Sequence, residues 1–303
     1  MLTSKYRPKS LDEIIGQDSV VKTLKQLKEK QNFPHLLFTG PPGSGKTSCA
    51  YAFASELNIP IVELNASDER GIETVRSKIK NLTFSSGQRI ILLDEFDSMT
   101  EIAQEALRRI IELSPPNVKF IATANNVSRV IDPIKSRFLI LYFNKLDSRS
   151  MAKISLRILK SEGIIPPLTP EIKQAVEQLV DVSDGDARFA VNVLDSLISE
   201  NKLITSSNVL LLSGRQDVGG EILVLALDGK IEEAIRRLED LYIEQRLSGR
   251  KTISDIFSSL KKSEKLSLEE KLILFSKLAE VEHRINEGGD VLLQLSSFLA
   301  DLY

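Results

Sequence analysis

Apolar and polar positions along residues 35–145 follow two patterns, short apolar runs and longer stretches with an apolar residue every three or four positions. The runs predict five strands, at 35–39, 61–64, 90–93, 119–123 and 139–143, and the stretches between them predict helices. The run at 90–93 is apolar at every position, which is typical of a central strand covered on both faces. This alternation predicts an α/β fold, a parallel sheet with helices on both faces.

Helical periods replace the strand signals after about residue 148. Amphipathic segments at 150–162, 170–181 and 187–198 predict a small helical domain. The polar stretch 213–220 contains three glycines and predicts a linker, and the helical periods beyond it include a loop near 287–290. We therefore expect three domains, an α/β domain at 1–147 and helical domains at 148–212 and 221–303.

Composition narrows the class of protein. The 303 residues are 42% hydrophobic and 27% charged, as in folded globular domains. The net charge is -2, so a surface that binds nucleic acid must be a local patch. No apolar run approaches the roughly 18 residues of a membrane helix. One cysteine, Cys49, and two isolated histidines, His35 and His283, provide neither an internal disulfide nor a zinc site of the usual spacing. We expect an intracellular protein without a structural metal.

A phosphate-binding motif follows the first predicted strand. Residues 40–47 read Gly-Pro-Pro-Gly-Ser-Gly-Lys-Thr, which matches G-x-x-x-x-G-K-[ST], and a helix is predicted to start near Ser48. Backbone N–H groups of such a loop surround phosphate oxygens, Lys46 would reach the β and γ phosphates, and Thr47 would offer a hydroxyl to Mg²⁺. A Gly-Pro turn with an exposed lysine is the weaker alternative. The predicted nucleotide contacts are Gly40, Pro41, Pro42, Gly43, Ser44, Gly45, Lys46, Thr47 and Ser48.

Two carboxylates, Asp94 and Glu95, follow the strand predicted at 90–93. Because ligands bind at the carboxyl ends of strands in a doubly wound sheet, Asp94 is placed to hold the shell of Mg²⁺ and Glu95 to polarise an attacking water. Taken alone, such a pair is more often a helix N-cap. With a phosphate loop upstream we favour hydrolysis, since the base of a small-molecule kinase acts on its substrate instead of water.

Further motifs occur in a fixed order between residues 5 and 200. They are Lys-Tyr-Arg-Pro at 5–8, Ile-Gly-Gln at 15–17, Glu-Leu-Asn-Ala-Ser-Asp-Glu-Arg-Gly at 63–71, Ala-Gln-Glu-Ala-Leu-Arg-Arg at 103–109, Asn125, Ser-Arg at 136–137 and Gly-Asp-Ala-Arg at 185–188. Together with the phosphate loop they resemble the AAA+ ATPases, and among them the replication factor C small subunits, the clamp loaders of archaea and eukaryotes. Two residues depart from the family pattern, Phe96 in place of alanine and Phe138 in place of cysteine, and neither removes a charged group.

The resemblance implies a P-loop AAA+ domain, a helical lid and a C-terminal helical collar that joins subunits. It implies that Asn125 orients the attacking water, that Arg188 reaches the γ phosphate from the lid, and that Arg137 acts on a neighbouring subunit's ATP as an arginine finger. The residues that would border the adenine are Tyr6, Arg7, Pro8, Ile15 and Gly16.

The resemblance also implies a partner set and a location. ATP hydrolysis would drive the loading of a sliding clamp onto primer-template DNA during replication. The chain would assemble with a large subunit and further small subunits, in the cytoplasm of an archaeal cell or the nucleus of a eukaryotic one.

A basic segment between Arg70 and Arg89 has five positive residues and one acid, a charge of +4. A second predicted helix buries Ala103, Leu107, Ile110 and Ile111 and leaves arginines outward. Judged from charge alone, such basic helix faces are more often exposed to solvent and bind no partner. The helices match those that line the DNA channel of the resembled family, and no aromatic residue is interleaved with Arg76, Lys78 and Lys80, so we expect phosphate contacts and no base stacking. The expected DNA contacts are Arg76, Lys80, Arg108 and Arg109.

Three alternatives stay open. Another DNA-acting AAA+ ATPase, such as a branch-migration helicase, would lack the motif at 65–71. A structural subunit of the loader that never hydrolyses ATP is disfavoured by the intact Lys46, Asp94, Glu95 and Asn125. A P-loop kinase would leave residues 148–303 without a purpose.

Overall fold

The structure is a computed structural model that describes residues 1–30, 33–67, 73, 75–213, 218–243, 249–263 and 265–302. Two compact units divide the chain, Met1–Ser213 and Gly214–Tyr303. The first unit contains both the α/β part and the helices that follow it, so the domain boundary at residue 147 stays a prediction. The second unit contains the helices of the third predicted domain.

A five-stranded parallel sheet forms the centre of the first unit. The strands are β1 (His35–Thr39), β2 (Ile61–Asn65), β3 (Arg89–Asp94), β4 (Val118–Ala124) and β5 (Phe138–Tyr142). They lie in the order β2-β3-β4-β1-β5, with Leu36 of β1 opposite Ile121 of β4 and Leu139 of β5. The parallel sheet is confirmed, and the ends of each strand differ from the predicted ends by at most one residue.

Within the described residues, ten helices of the first unit flank and follow the sheet. They are α1 (Leu2–Lys5), α2 (Asp18–Glu29), α3 (Lys46–Glu56), α4 (Lys80–Phe84), α5 (Glu101–Glu112), α6 (Asp132–Lys135), α7 (Ser148–Ser161), α8 (Pro170–Ser183), α9 (Ala187–Ser199) and α10 (Ser206–Ser213). Short 3₁₀ turns occupy Leu11–Glu13, Phe96–Ser98 and Val127–Arg129, and a π-helical turn, Val75–Ile79, precedes α4. The three segments predicted beyond residue 148 correspond to α7, α8 and α9, with ends that differ by at most two residues.

Apolar clusters cover both faces of the sheet. Ile91 and Leu93 of β3 pack in a cluster with the apolar side of α5. Ile90 and Leu92 point to the opposite face, where they pack with α2 and α3. We call this second group the α3-side cluster, and it also contains Phe143, just beyond β5. The continuous apolar run of β3 therefore has the cause that the sequence predicts, burial on both sides.

A third cluster of the first unit joins helices α7 to α10 and is here called the helical cluster. Its buried residues include Met151, Leu179 and Leu194, together with Leu2 of α1 and Leu146, which precedes α7. Asp147 caps α7 by accepting a hydrogen bond from the Ser150 N–H at 2.8 Å. The N-terminal helix thus belongs to the packing of the helical part, although it is the first element of the chain.

Over the part of the second unit that the structure describes, five helices surround one apolar cluster. They are α11 (Val218–Leu227), α12 (Ile231–Ile243), α13 (Gly249–Lys262), α14 (Leu268–Asn286) and α15 (Val291–Ala300). The predicted loop at 287–290 is confirmed between α14 and α15. Over the described ranges, no helix of either unit combines the length and the apolar character that crossing a membrane requires.

The linker predicted at 213–220 is wrong in part, because α10 extends to Ser213 and α11 begins at Val218. Residues 214–217 lie outside the described residues. A Cβ on Gly219 would lie 2.5 Å from the Thr252 carbonyl oxygen and 2.7 Å from the Ile256 nitrogen, both in α13. Gly219 therefore allows two helices to pack closely, and the sequence pattern does not distinguish that role from a flexible turn.

His35 occupies a mostly buried position at the start of β1. Its Nδ1 accepts a hydrogen bond from the Phe120 N–H at 3.1 Å, and its ring lies against Phe120 and Phe138 at centroid distances of 5.4 and 5.5 Å. Burial, with a smaller contribution from Lys119, lowers the pKa of His35 from 6.5 to about 4. Only the neutral ring can accept the hydrogen bond from Phe120 in this way.

Acid is therefore expected to destabilise the first unit between pH 6.5 and about 4. In this range the unfolded chain binds a proton that folded His35 does not, so the free energy of unfolding falls as the pH falls. The full difference is about 3 kcal/mol. Urea unfolding of the parent and of His35→Gln at pH 7 and pH 4.5 measures it, with His283→Gln, a change of the exposed histidine, as control. The same pH dependence in the parent and the His35 variant would contradict the expectation.

Candidate functional site

A cavity of about 430 Å³ lies in the first unit, where the phosphate loop meets the ends of β3 and β4. Helices α7 and α9 and the N-terminal segment form its other walls. Most of the residues predicted for nucleotide, metal and catalysis come together here. Those that line the cavity are Tyr6, Arg7, Pro8, Ile15, Pro42, Gly43, Ser44, Gly45, Lys46, Thr47, Ser48, Asp94, Glu95, Asn125 and Arg188.

The phosphate loop turns through two glycines in the left-handed region, Gly43 at φ 67° and Gly45 at φ 96°. A residue with a Cβ would be strained at either position, although of these two the motif itself requires glycine only at 45. The helix that follows, α3, begins at Lys46, two residues earlier than predicted. Its first N–H groups and the loop N–H groups lie around the same part of the cavity, an arrangement that favours a bound anion.

Lys46 is buried at the base of the loop, with 8% of its surface exposed. Its Nζ donates hydrogen bonds to the carbonyl oxygens of Gly40 and Pro41, each at 2.8 Å, and to Asn125 Oδ1 at 2.9 Å. Burial lowers the pKa of Lys46 to about 8, although nearby carboxylates oppose the shift. A bound phosphate would favour the charged ammonium and raise this pKa, so the site fits an anionic ligand.

An oxygen-rich group lies beside the loop. Asp94 Oδ1 accepts hydrogen bonds from Thr47 Oγ1 at 2.8 Å and from Thr123 Oγ1 at 2.6 Å. Carboxylate and hydroxyl oxygens are the donors that Mg²⁺ prefers, so these residues fit the expected metal. The sequence analysis did not predict Thr123. Its position near the carboxyl end of β4, two residues before Asn125, would have indicated it.

Glu95 has a left-handed backbone, with φ 54° and ψ 41°, which is costly for a residue other than glycine. Its N–H donates a hydrogen bond to Thr123 Oγ1 at 3.1 Å. The turn carries the Glu95 side chain from the end of β3 to the wall of the cavity. Phe96, which stands where the resembled family has alanine, is fully buried in the cluster that contains the apolar side of α5, and it does not line the cavity.

The N-terminal segment forms another part of the cavity wall. The Tyr6 hydroxyl donates a hydrogen bond to Glu162 Oε1 at 2.6 Å, and Lys5 Nζ donates to the same oxygen at 2.7 Å. The guanidinium of Arg7 lies 4.8 Å from the centre of the Tyr51 ring. An aromatic ring, an arginine and apolar residues of α7 and α9 thus provide a pocket suited to a flat heterocycle.

Sequence reasoning missed nearly half of the cavity wall. The missed residues are Leu2, Thr3, Glu13, Ile14, Thr123, Leu146, Ile154, Arg157, Ile158, Ala187, Val191 and Asn192. Most of them belong to α1, α7 and α9, where an apolar period predicts burial but does not tell which cluster or cavity a helix faces. Val191 and Asn192, one turn beyond Arg188, are the ones that helical spacing would have indicated.

Of the residues predicted for nucleotide, metal and catalysis, four lie outside the set of described residues that line the cavity. Gly40 and Pro41 act through their carbonyl oxygens on Lys46. Gly16 packs against the start of α7, where an added Cβ would lie 2.6 Å from Leu146 Cδ2. Arg137 is half-buried, forms an ion pair with Glu112 and donates a hydrogen bond to the Pro133 carbonyl oxygen at 2.5 Å.

The residues predicted to contact DNA are not among the described residues that line the cavity. Lys80 at the start of α4 and Arg109 on α5 are exposed, whereas Arg108 is half-buried and pairs with Glu105 at 3.2 Å. The backbone of Arg76 belongs to the π-helical turn, and its side chain and Arg70 lie outside the described residues. The predicted buried face of α5 is confirmed, because Ala103, Leu107, Ile110 and Ile111 are all buried.

Comparisons with known proteins agree with these features. A sequence model of the AAA family, the ATPase family associated with various cellular activities, matches residues 36–146, and a model of the replication factor C C-terminal domain matches residues 215–301. The chain is 40% identical to the replication factor C small subunit of Sulfolobus acidocaldarius, over 98% of this chain and 94% of that protein. It is 37% identical to the small subunit of Archaeoglobus fulgidus, over 98% and 95%.

A solved structure is also similar. The RuvB Holliday junction branch migration motor of Thermotoga maritima matches with a TM-score of 0.57 and 21% identity, over 88% of each chain. At this identity the similarity concerns the fold, an AAA+ domain followed by helices.

Proposed function

This chain belongs to the replication factor C small-subunit family and is an AAA+ ATPase, and we propose that it helps to open a sliding clamp and load it onto primer-template DNA. The single observation that carries the ATP-dependent part is the meeting of Lys46, Thr47, Asp94, Glu95 and Asn125 around one cavity. Its partners in this proposal are a large subunit, further small subunits, the clamp and DNA. The work would take place in the archaeal cytoplasm or the eukaryotic nucleus.

The proposal assigns a task to each part of the chain. Residues 1–147 bind the nucleotide, residues 148–212 form a lid over it, and residues 221–303 form a collar that joins subunits. Support for the lid comes from the cavity, which is lined by α7 and α9 as well as by the sheet. Support for the collar comes from the match to the replication factor C C-terminal domain.

In the proposed mechanism the loop and Lys46 bind the phosphates of ATP, and Thr47 and Asp94 hold Mg²⁺. When bound, Mg²⁺ supplies positive charge against the phosphate oxygens. Glu95 accepts a proton from the attacking water. Asn125 orients that water or the γ phosphate, and Arg188 approaches the phosphate from the lid.

A neighbouring subunit completes the site in this proposal. Arg137 lies outside the described lining of its own chain's cavity, and we infer that it stabilises charge on the γ phosphate bound by the next subunit. The chain therefore needs an assembled neighbour for full turnover.

Measurement of ATP turnover tests the proposal. The chain is mixed with a large subunit, and turnover is compared with no addition, with primed DNA, with clamp and with both. We expect the largest rate when both are present. Turnover that is indifferent to the clamp but coupled to strand movement would support the branch-migration type instead, and binding without any turnover would support a structural subunit.

DNA affinity is expected to depend steeply on salt and little on sequence. If four small subunits each place two basic groups on phosphates, eight contacts give a log-log salt slope of about -7. Replacing Arg76 and Lys80 with alanine in every small subunit should flatten this slope without changing preference among sequences, as DNA binding at several salt concentrations would measure. The matched control removes two exposed charges of the α2 region, Lys22 and Lys30. A slope unchanged by the first pair, or changed equally by both, would place the DNA contacts elsewhere.

A further inference from the structure

Gln17 connects two parts of the nucleotide site without lining it. The side chain is 2% exposed. Its Nε2 donates hydrogen bonds to the Ser44 carbonyl oxygen at 3.2 Å and to the Asn144 carbonyl oxygen at 2.8 Å, and its Oε1 accepts one from the Asn144 N–H at 3.1 Å. We propose that Gln17 is a positioning residue that holds the phosphate loop and the hinge of the lid in one arrangement. The inference rests on the proposed ATP site, whose geometry Gln17 would fix.

The hinge is defined by the clusters on either side of it. Phe143 belongs to the α3-side cluster of the sheet, and Leu146 belongs to the helical cluster. Only Asn144 and Lys145 lie between them, so a change in the angle of the helical part must occur at these two residues. Gln17 binds both polar backbone groups of Asn144, as a neighbouring strand would, and thereby satisfies them where the sheet ends.

The other contact orients a peptide unit of the phosphate loop. In a trans peptide the carbonyl oxygen and the following N–H point in opposite directions. Gln17 holds the Ser44 carbonyl oxygen, so the Gly45 N–H is directed away from Gln17, on the side where the loop borders the cavity. Because glycine is permissive in φ, a peptide between Ser44 and Gly45 can rotate unless something fixes it. Gln17 provides that restraint.

The backbone before Gln17 is packed against the lid as well. A Cβ on Gly16 would lie 2.6 Å from Leu146 Cδ2 and 2.8 Å from Ser150 Oγ, at the start of α7. The lid therefore cannot rotate at its hinge without displacing residues 16–17. Gln17 also holds the phosphate loop. Without its amide, the binding of phosphate at the loop should therefore no longer change the angle of the lid.

The test variant is Gln17→Met, which keeps length and volume but removes all three hydrogen bonds. The chain offers a matched control in Gln104, which is fully buried and whose amide makes three hydrogen bonds to backbone, with Met99 O, Arg129 O and the Ile131 N–H, at 3.0 to 3.1 Å. Gln104→Met thus measures what the loss of such bonds costs away from the loop and the hinge.

Two measurements are made on the full chain without DNA. The first is the Kd for the non-hydrolysable analogue AMP-PNP with Mg²⁺, which we expect to rise about tenfold in Gln17→Met and to change less than twofold in Gln104→Met. The second is the distance between spin labels at Gln26→Cys on α2 and Gln174→Cys on α8, both exposed positions. The native Cys49 is fully buried, and burial raises the pKa of its thiol to about 12, so the label enters at the new sites.

In the parent and in Gln104→Met, AMP-PNP should narrow the distribution of this distance. In Gln17→Met the distribution should stay broad with and without AMP-PNP. A Gln17 variant that only loses thermal stability, with the parent's Kd and distance response, would overturn the inference and leave the proposed function intact. Equal changes in both glutamine variants would also overturn it. A parent that fails to bind AMP-PNP would overturn both the inference and the proposed function.

Discussion

Replacing Arg137 with alanine in every small subunit is expected to lower the rate of ATP hydrolysis by about 10³- to 10⁵-fold while ATP binding stays nearly intact. The guanidinium would stabilise charge that develops on a phosphoryl group held by the neighbouring subunit, and this charge is largest in the transition state. Within its own chain Arg137 pairs with Glu112, outside the described lining of the cavity. Its loss therefore leaves the chain's own phosphate loop unharmed. Turnover by the assembled subunits and the Kd for nucleotide measure the two effects separately.

Mixing two inactive variants tests whether Arg137 acts across the subunit boundary. An Arg137→Ala subunit retains its own ATP site, and a Glu95→Gln subunit retains Arg137. Where the second subunit lies beside the first in the correct order, one working interface is restored. ATPase activity that returns on mixing, once exchange of subunits is demonstrated, supports action in trans. If assembly and exchange occur and no ratio restores activity, Arg137 acts within its own chain or only supports the fold.

Glu112 provides the control for a purely structural role. If the ion pair with Arg137 mattered only for the packing of α5 against the residues after α6, Glu112→Gln would reduce turnover as much as Arg137→Ala does. An arginine finger predicts the opposite. Removing Glu112 leaves the guanidinium charged and available, so turnover should stay within a few-fold of the parent.

Replacing Glu95 with glutamine is expected to lower turnover by about 10²- to 10⁴-fold without loss of ATP or Mg²⁺ binding. The amide keeps the size of the side chain but cannot accept the proton of water. The groups proposed to bind phosphate and metal, Lys46, Thr47 and Asp94, are unchanged. A single-turnover assay measures the chemical step, and titration with a fluorescent ATP analogue measures binding.

Lys46→Ala is the companion variant for Glu95→Gln. It should weaken nucleotide binding itself, because Lys46 is the buried cation of the phosphate loop. Lys46→Ala is thus expected to lose nucleotide binding, whereas Glu95→Gln is expected to bind ATP and lose the chemical step. If Glu95→Gln hydrolyses ATP within a few-fold of the parent, the proposed role of the Glu95 carboxylate is wrong.

The sheet was predictable because its signal is local. Residues 90–93 are apolar at every position since β3 is covered on both faces, and no distant contact is needed to recognise this pattern. The same holds for the phosphate loop, where Gly43 and Gly45 adopt backbone angles that other residues avoid. Local patterns therefore predicted both the strands and the glycine turn that borders the cavity.

The part of the cavity wall that α1, α7 and α9 form was not predictable in this way. Ile154 and Val191 belong to amphipathic helices, and their period predicts a buried side without stating what is packed against it. Leu2 joins the helical cluster although it is more than 140 residues away from α7. Such contacts depend on how the helical part meets the sheet, which a single sequence does not encode in any short segment.

Gln17 shows a further limit of motif reasoning. The resemblance places Ile15 and Gly16 of the motif at 15–17 near the adenine and gives Gln17 no role, but hydrogen bonds join Gln17 to Ser44 and Asn144, which are 27 and 127 residues away. A buried amide with three backbone partners leaves no periodic signal. The structure is therefore needed to separate a residue that touches the nucleotide from one that holds the residues around it.

The two left-handed glycines of the phosphate loop set different limits on which substitutions the chain can accept. A Cβ at Gly43 would lie 1.9 Å from Asp186 Oδ1, whereas at Gly45 none of the described atoms beyond its chain neighbours lies within 4 Å of that position. Asparagine, which tolerates left-handed angles, is thus the least costly replacement at 45. At 43, even a tolerated backbone leaves a collision with the residue that caps α9. Positions 43 and 186 are therefore constrained as a pair, and a larger residue in the loop is acceptable only in a chain whose helix cap has changed with it.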